Sequence, residues 1–426
     1  NGVILITTKR GKTGPVQIKY DVSFANQKPT AVPDFLGSAE YAMLRNEALK
    51  NAGLPPSFTA DDIAKYAAGN DPNYPSTDWM DVLYSGSGNS QYHNLNFSGG
   101  NEKTRYNISM GYKQQKGVIK KVDADRANLR INLDSKITDW LNLGSNTALS
   151  YAVNTIPLTG PELTRGGDLQ QFYNSVTHIP PTQKLKLPDG SWSGEYPLGN
   201  FAAWIDNGNL REITENKLIQ SIFLDAKVLS GLSWKNRASV DYSFTPTTNH
   251  ISQFTYGGGQ ISGPSSNQEI LDRMAVIDLE SLFTYNKMFG KHGIKGLLGT
   301  SSRTEEFNTT MAFRLGFPSN ELTDLSAGST SGLTNSGTSS KAILNSYFGR
   351  INYDYDGKYL FETNLRRDGS SKFASGKRWG WFPSFSAGWV LTEEKFLKDN
   401  AWLNSLKVRA SWGQLGNDRI ADYQYN

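Results

Sequence analysis

The chain has 426 residues, a formal net charge of +4 and no cysteine, which excludes a disulfide framework and any thiolate metal site or nucleophile. Lys and Arg are spread throughout, so no footprint for nucleic acid is visible. Mean hydropathy is −0.50, and the longest apolar run, Val3 to Ile6, falls far short of the roughly 18 residues of a membrane-spanning helix, which excludes a helical membrane protein.

The chain opens on residues 1 to 12, which read as a strand; with no Met and no signal peptide ahead of it, the sequence is expected to be a fragment. About thirteen strands then follow by period-two alternation. Their apolar faces are Val16, Ile18, Tyr20, Val22 and Phe24; then Tyr106 to Tyr112, Ala127 to Leu133, Leu141 to Tyr151, Leu218 to Val228, Leu232 to Phe244, Ala275 to Tyr285, Tyr359 to Leu365 and Leu406 to Trp412, each at alternate positions. None of these positions holds Asp, Glu, Lys or Arg, whereas the opposite faces carry Lys19, Asp21, Arg130, Asp134, Lys235, Arg237, Asp241, Glu362, Arg366, Lys407 and Arg409. A lipid-facing Lys or Arg at mid-membrane costs about 2–4 kcal/mol, whereas a watery lumen tolerates it.

The reversals alternate in size. Tight ones lie at 99–103, 137–140, 230–231, 286–293 and 354–358, and long loops at 29–90, 155–212, 245–270 and 310–339. Short turns at one rim and long loops at the other describe an up-and-down membrane barrel. Aromatic residues near strand ends, Tyr151, Phe244, Tyr285, Tyr355 and Trp412, suit interfacial girdles. A soluble antiparallel sandwich also alternates, with its apolar face turned inward. Helices are expected only inside long loops, from Ser38 to before Gly53 and from Thr59 to before Gly69, with Ser38 and Thr59 as N-caps.

Chemical constellations are scarce. His93, His178, His250 and His292 are isolated, with no second ligand at zinc spacing. The loop 71–78 is rich in oxygen but lacks the glycine and terminal glutamate of a calcium hand. Residues 367–372 read as a turn, no Gly-x-Ser-x-Gly elbow occurs, and the glycines at 99–100 and 257–259 do not open helices. Glu305 and Glu306 are adjacent on a strand and so point to opposite faces. No enzyme, cofactor or metal site is expected. Two sets of contact candidates stand out: Trp192, Tyr196 and Trp204 in the least regular stretch, positioned to shape an entrance or touch a partner, and the lumen charges Arg130, Arg237, Glu362 and Arg366, which either meet cargo or pair with one another and with an internal plug.

Several stretches carry a family resemblance. They are residues 1–12; His93–Asn101 with Arg105–Tyr112 and Gln115–Ile119; Tyr347–Leu360 with Arg366–Phe373 and Trp379–Trp389; and Ser405–Asn417. Together they resemble the SusC/RagA-like TonB-dependent transporters of the bacterial outer membrane. The resemblance implies an all-β fold: a partial transmembrane barrel, about 13 of about 22 strands, with short helices in extracellular loops. Residues 1–14 would be the last strand of the plug domain and 15–426 the incomplete barrel. It further implies import of glycan or peptide oligomers, TonB acting through a plug segment absent here, a SusD-like surface lipoprotein as lid, and outer-membrane lipid around the wall. A siderophore receptor or passive porin of similar architecture, or a soluble carbohydrate-binding β protein, are the alternatives.

Overall fold

The computed structural model describes residues 8–158, 176–195, 200–397 and 402–424. Thirteen strands form one antiparallel sheet in which each pairs with its sequence neighbours and no crossover occurs. They are β1 (Gly14–Gln27), β2 (Gly88–Gly100), β3 (Thr104–Lys116), β4 (Asp123–Lys136), β5 (Leu141–Pro157), β6 (Leu210–Leu229), β7 (Leu232–Ile251), β8 (Ser266–Phe289), β9 (His292–Leu315), β10 (Thr334–Tyr355), β11 (Tyr359–Ser370), β12 (Trp379–Val390) and β13 (Lys407–Gly413).

Register places apolar side chains in one continuous belt. Ile18 lies opposite Phe97, Phe97 opposite Ile108 and Ile108 opposite Ile131. Leu129, Leu149, Leu218 and Tyr242 continue it on the next strands. This face is bare: Ile18 is 67% exposed, Phe24 72% and Trp412 62%. A sandwich would bury that face, and among the described residues no second sheet covers it, so the apolar side is the outer wall and its natural solvent is lipid. No helix among the described residues is long and apolar enough to cross a membrane.

Aromatic pairs band the outer wall. Trp234 stacks on Phe283 at 5.7 Å and Tyr359 on Trp389 at 6.3 Å near the short-turn rim; Tyr347 stacks on Trp379 at 5.9 Å near the other. Amphipathic rings at both edges of the apolar band mark its interfaces. Trp412 departs from the expected girdle, because register sets it against Phe385 in the middle of β12.

The reversals are less regular than their spacing in the sequence suggests. At the long-loop rim, β3 and β4 are joined by only 117–122, closed by the Gly117 N–H donating to the Val122 carbonyl at 2.7 Å, and β11 and β12 by 371–378. At the other rim, 391–406 between β12 and β13 is long. The expected loops 245–270 and 310–339 shrink to 252–265 and 316–333, because β7 to β10 run on for 20 to 24 residues. At about 3.3 Å per residue and a 45° tilt, the longest strands rise about 55 Å, twice the roughly 25 Å apolar band. The projecting parts are rich in Thr, Ser and Asn, which are polar on both faces, so the ladder continues where the apolar rhythm has stopped. Even Pro246 is accommodated: the β6–β7 ladder skips the rungs beside it, where an N–H is missing, without changing register. Outward-facing charges appear only here and at the rim, as in the Lys341–Glu306 pair at 2.6 Å.

Among the described residues four α-helices occupy the loops: α1 (Ser38–Asn51), α2 (Ala60–Ala68), α3 (Trp79–Leu83) and α4 (Phe201–Asp206). The α2 cap forms as expected. Thr59 and Asp62 make a reciprocal capping box, and Gly69 closes the helix at φ 61°. Ser38, in contrast, is the first helical residue and not the N-cap; Gly37 takes that place, and the Ser38 hydroxyl donates to the Pro75 carbonyl at 2.7 Å.

The two faces can be separated with one residue type on one strand. Ile222 faces outward and Ile219 inward beside Asp241. In the full-length protein, Ile222→Lys is expected to lower stability by about 2–4 kcal/mol and Ile219→Lys by less than about 1 kcal/mol. Denaturant-dependent refolding into phospholipid vesicles measures both; equal losses would contradict the assignment of faces.

Candidate functional site

Two features stand out on the inner side and at the long-loop rim: a charged wall and a packed cap. The wall begins with the segment before β1, which lies against the inward face of the sheet. Arg10 pairs with Asp134 at 2.6 Å and stacks over Phe223 at 5.3 Å, while Asn132 donates to the Lys9 carbonyl at 2.7 Å. Gly11 rests on the Tyr106 main chain so closely that a Cβ would meet it at 2.4 Å. Only glycine allows that approach.

Arg130 and Arg237, both singled out from the sequence, come together here. With Arg10, Asn132, Asn146, Ser221, Lys235 and Ser239 they line a recess of about 520 Å³. Lys235 is neutralised by Asp225 at 3.3 Å. Among the described residues, no carboxylate lies within salt-bridge distance of Arg130 or Arg237, and both are exposed to the interior.

Glu362 and Arg366 lie apart from that recess, on β11. Arg366 is engaged by its own surroundings: Nε donates to Asp368 at 2.6 Å, Nη2 donates to Ser346 at 2.7 Å, and the guanidinium covers the Phe348 ring at 5.0 Å. Glu362 accepts from the side-chain amides of Asn352 and Asn364. It sits in a larger recess of about 870 Å³ with Lys295, Arg350, Lys407 and Arg409. Sequence reasoning placed Lys407 and Arg409 on the inner face but did not single them out as contact residues. It missed Lys295 and Arg350, whose sole signal was their inward phase on β9 and β10.

The cap is where the true hydrophobic core lies. Trp79, Met80 and Leu83 of α3 pack with Val176, Ile179 and with Phe201, Ala202 and Ile205 of α4. A second cluster joins Leu158, Ala203, Trp204, Ile251, Phe254 and Tyr256, and Trp192 packs against both. Trp204, expected to touch cargo or a partner, is only 4% exposed and meets Phe254 edge-on at 5.3 Å, so its indole is spent on packing. Trp192 is half-buried and carries Lys186 over its ring at 4.3 Å. Tyr196 lies outside the described residues. The six-residue α4 is buried along Phe201–Ile205, which is why its sequence shows no helical amphipathicity to read.

Polar stitches hold these loops together. Thr77 N–H donates to the Pro181 carbonyl at 2.9 Å, Trp79 Nε1 to the Pro180 carbonyl at 3.1 Å, and Lys121 Nζ to the Ile205 carbonyl at 2.7 Å. Asn209 ties α4 to the end of β7 within the second cluster, donating to the Trp204 carbonyl at 2.6 Å and accepting from the Ser252 N–H at 2.7 Å. Burial pushes the Tyr256 phenol above its ordinary value. On the α2 spur, hydrogen bonds from the Thr59 side chain and N–H, and from Tyr74, hold the Asp62 carboxyl below its ordinary value. Between segments 32–37 and 176–181 a cleft of about 590 Å³ opens, with Phe35, Tyr41, Trp79 and Pro181 on its walls. Among the described residues no three His, Asp or Glu side chains are grouped to hold a metal.

Comparison with known proteins gives one consistent answer. Residues 180–425 match the family model described as TonB dependent receptor-like, beta-barrel. The chain is 28% identical over 439 residues to TonB-dependent receptor P3 of Formosa agariphila, covering 100% of this chain and 40% of that protein. It is 26% identical over 449 residues to TonB-dependent receptor SusC of Bacteroides thetaiotaomicron, covering 99% and 42%. The chain thus spans about two fifths of the length of these relatives. A solved structure of the RagAB peptide importer in its closed-closed state superposes with a TM-score of 0.80 at 21% identity, over 98% of this chain and 49% of that one.

The packing role of Trp204 is open to test. Trp204→Ala is expected to destabilise the cap by about 3–5 kcal/mol while leaving the wall folded. Limited proteolysis of the full-length protein would then cut within 180–210 without loss of the barrel's resistance to heat; an unchanged cleavage pattern would contradict that role.

Proposed function

The chain belongs to the TonB-dependent receptor-like β-barrel family of the bacterial outer membrane, and on that premise we propose that it forms the first part of the wall, with its loops, of an active importer for glycan or peptide oligomers. Residues 1–14 are assigned to the last strand of an internal plug and 15–426 to the barrel. In this reading the plug enters at the short-turn rim, that rim faces the periplasm, and the long loops face outward. TonB would act on plug segments beyond this chain and open a path along the lumen, and a SusD-like lipoprotein would close over the loop cap.

The observation that carries the reading is the contact of Lys9 and Arg10 with Asn132, Asp134 and Phe223 on the inner wall. A segment ahead of the first strand that is tied inside the lumen is what a plug requires, and a simple porin has no need of it. Arg130 and Arg237 face the same space without carboxylate partners, available to plug or cargo. The large cap supports a lidded entrance. The chemistry in this reading is passage: charged groups stand along the inner wall where cargo would move.

Orientation and transport are tested separately. Lys120 and Glu102 lie exposed at opposite ends of β3. In the full-length protein on intact cells, Lys120→Cys is expected to react with an impermeant maleimide and Glu102→Cys to stay unlabelled; the reverse would invert the topology. Uptake of a labelled oligomer by cells carrying the protein is expected to fall at least tenfold on uncoupling the proton gradient. Uptake that survives uncoupling would replace the active importer with a passive pore.

A further inference from the structure

We infer that Arg367, Lys377 and Arg378, with Trp379 and Trp381, form a binding site on the outer wall for the phosphate-bearing headgroup of an outer-leaflet glycolipid. Arg367 is on the outward phase of β11, in line with Phe361 and Leu365, which are 45% and 48% exposed. It is opposite Tyr347 on β10 and Trp381 on β12. Its guanidinium lies 4.8 Å from the Trp379 ring centroid and 5.4 Å from that of Trp381, and Tyr347 stacks on Trp379. The cation is thus held against two ring faces.

Depth fits a headgroup. From the Tyr359–Trp389 pair at the short-turn rim to Arg367, eight residues tilted by 35–45° rise about 19–22 Å, close to the roughly 25 Å height of the apolar band. Arg367 therefore sits where acyl chains give way to headgroups, at the level of the aromatic girdle. Lys377 and Arg378, exposed on the turn 371–378, stand just above it. Nothing nearby neutralises them. Among the described residues no carboxylate is within salt-bridge distance of Arg367, Lys377 or Arg378. Asp368 faces inward to Arg366, Asp418 contacts the inward Ser370, and Asp422 meets Lys372. Other outward charges are satisfied differently, Lys341 by Glu306 and Arg273 by the Phe244 ring. Arg378 Nε donates to the Phe373 carbonyl at 3.1 Å, which leaves its charge unneutralised. Guanidinium and ammonium groups without carboxylate partners above an apolar, aromatic wall match a phosphate carried on acyl chains, since Arg binds phosphate through paired donors and each cation near an anionic membrane surface adds attraction.

The assignment to the outer leaflet rests on the orientation proposed above, which the Lys120 and Glu102 labelling tests by itself. The site is tested on the full-length protein, stripped of lipid in detergent, with a phosphorylated acylated disaccharide lipid, the same lipid after phosphatase treatment, and inorganic phosphate as probes. Native mass spectrometry is expected to show preferential retention of the phosphorylated lipid. The triple change Arg367→Gln, Lys377→Gln and Arg378→Gln should reduce that retention at least tenfold and leave the dephosphorylated lipid unaffected. The double change Lys377→Gln and Arg378→Gln, confined to an exposed turn, should reduce it several-fold with the fold intact. Equal retention of both lipids, insensitivity to the double change, or displacement of the lipid by an equal concentration of inorganic phosphate would overturn the proposal.

Discussion

Every backbone N–H and C=O inside a bilayer must find a partner within the protein, because lipid offers none. That constraint explains why the thirteen strands follow one another without a crossover: sequential antiparallel pairing gives each of β2 to β12 two ladders from its nearest neighbours in the chain, and leaves β1 and β13 one each. With the ladders supplied by the main chain, the side chains are free to divide by face. Outward positions match lipid and inward positions match water, and the membrane sorts the residues that a soluble protein would sort by burying a core. The barrel wall accordingly contributes few of the buried hydrophobic residues. Most of them belong to the loops.

The same division explains what could be read from the sequence. A charge on the outer face is costly, so alternation between Val16 and Phe24, or between Leu232 and Phe244, stays clean enough to locate strands and faces. Above the membrane the penalty vanishes, and with it the signal: residues 245–251 and 310–315 pair in the same ladders as the strands below, but 245–251 show no apolar rhythm, and in 310–315 the apolar Met311, Phe313 and Leu315 fall on the inward phase. Thr59 and Gly69 disclosed their helix because an N-cap and a left-handed stop are local chemistry. The buried helix at Phe201–Asp206 did not, because its burial comes from two partner loops distant in sequence. Trp204 was noticed as a large aromatic residue in an irregular stretch, yet the same irregularity hid the packing that claims it.

The inner wall follows another logic, in which pairing separates supporting charges from available ones. Arg366 is enclosed by Asp368, Ser346 and Phe348, so it braces β10 against β11. Lys217 with Asp241 and Arg303 with Asp278 brace neighbouring strands in the same way. Arg130 and Arg237 lack such partners and gather where the Lys9–Arg10 segment touches the wall. Residue identity and inward phase are the same in both groups. Only cross-strand register tells them apart, and register was not available from period-two counting.

The cap and the wall are mechanically joined through a few residues with a foot in each. Ile251 ends β7 and packs beside Trp204, while Leu158 follows β5 directly and belongs to the same cluster. Ile119, in the short β3–β4 turn, packs against the α3–α4 cluster, and its neighbour Lys121 donates to the Ile205 carbonyl. Because the projecting strands are stiffened by continuous ladders, these anchors leave the cap little freedom to shift as a unit without disturbing strand ends. Movement at the entrance would then fall to the α1–α2 spur, whose two helices pack chiefly on each other and are joined to the segment before α3 through Ser38, and to whatever closes over the rim from outside. A rigid cap with a loosely held spur suits an entrance that is gated by a separate partner and not by collapse of its own loops.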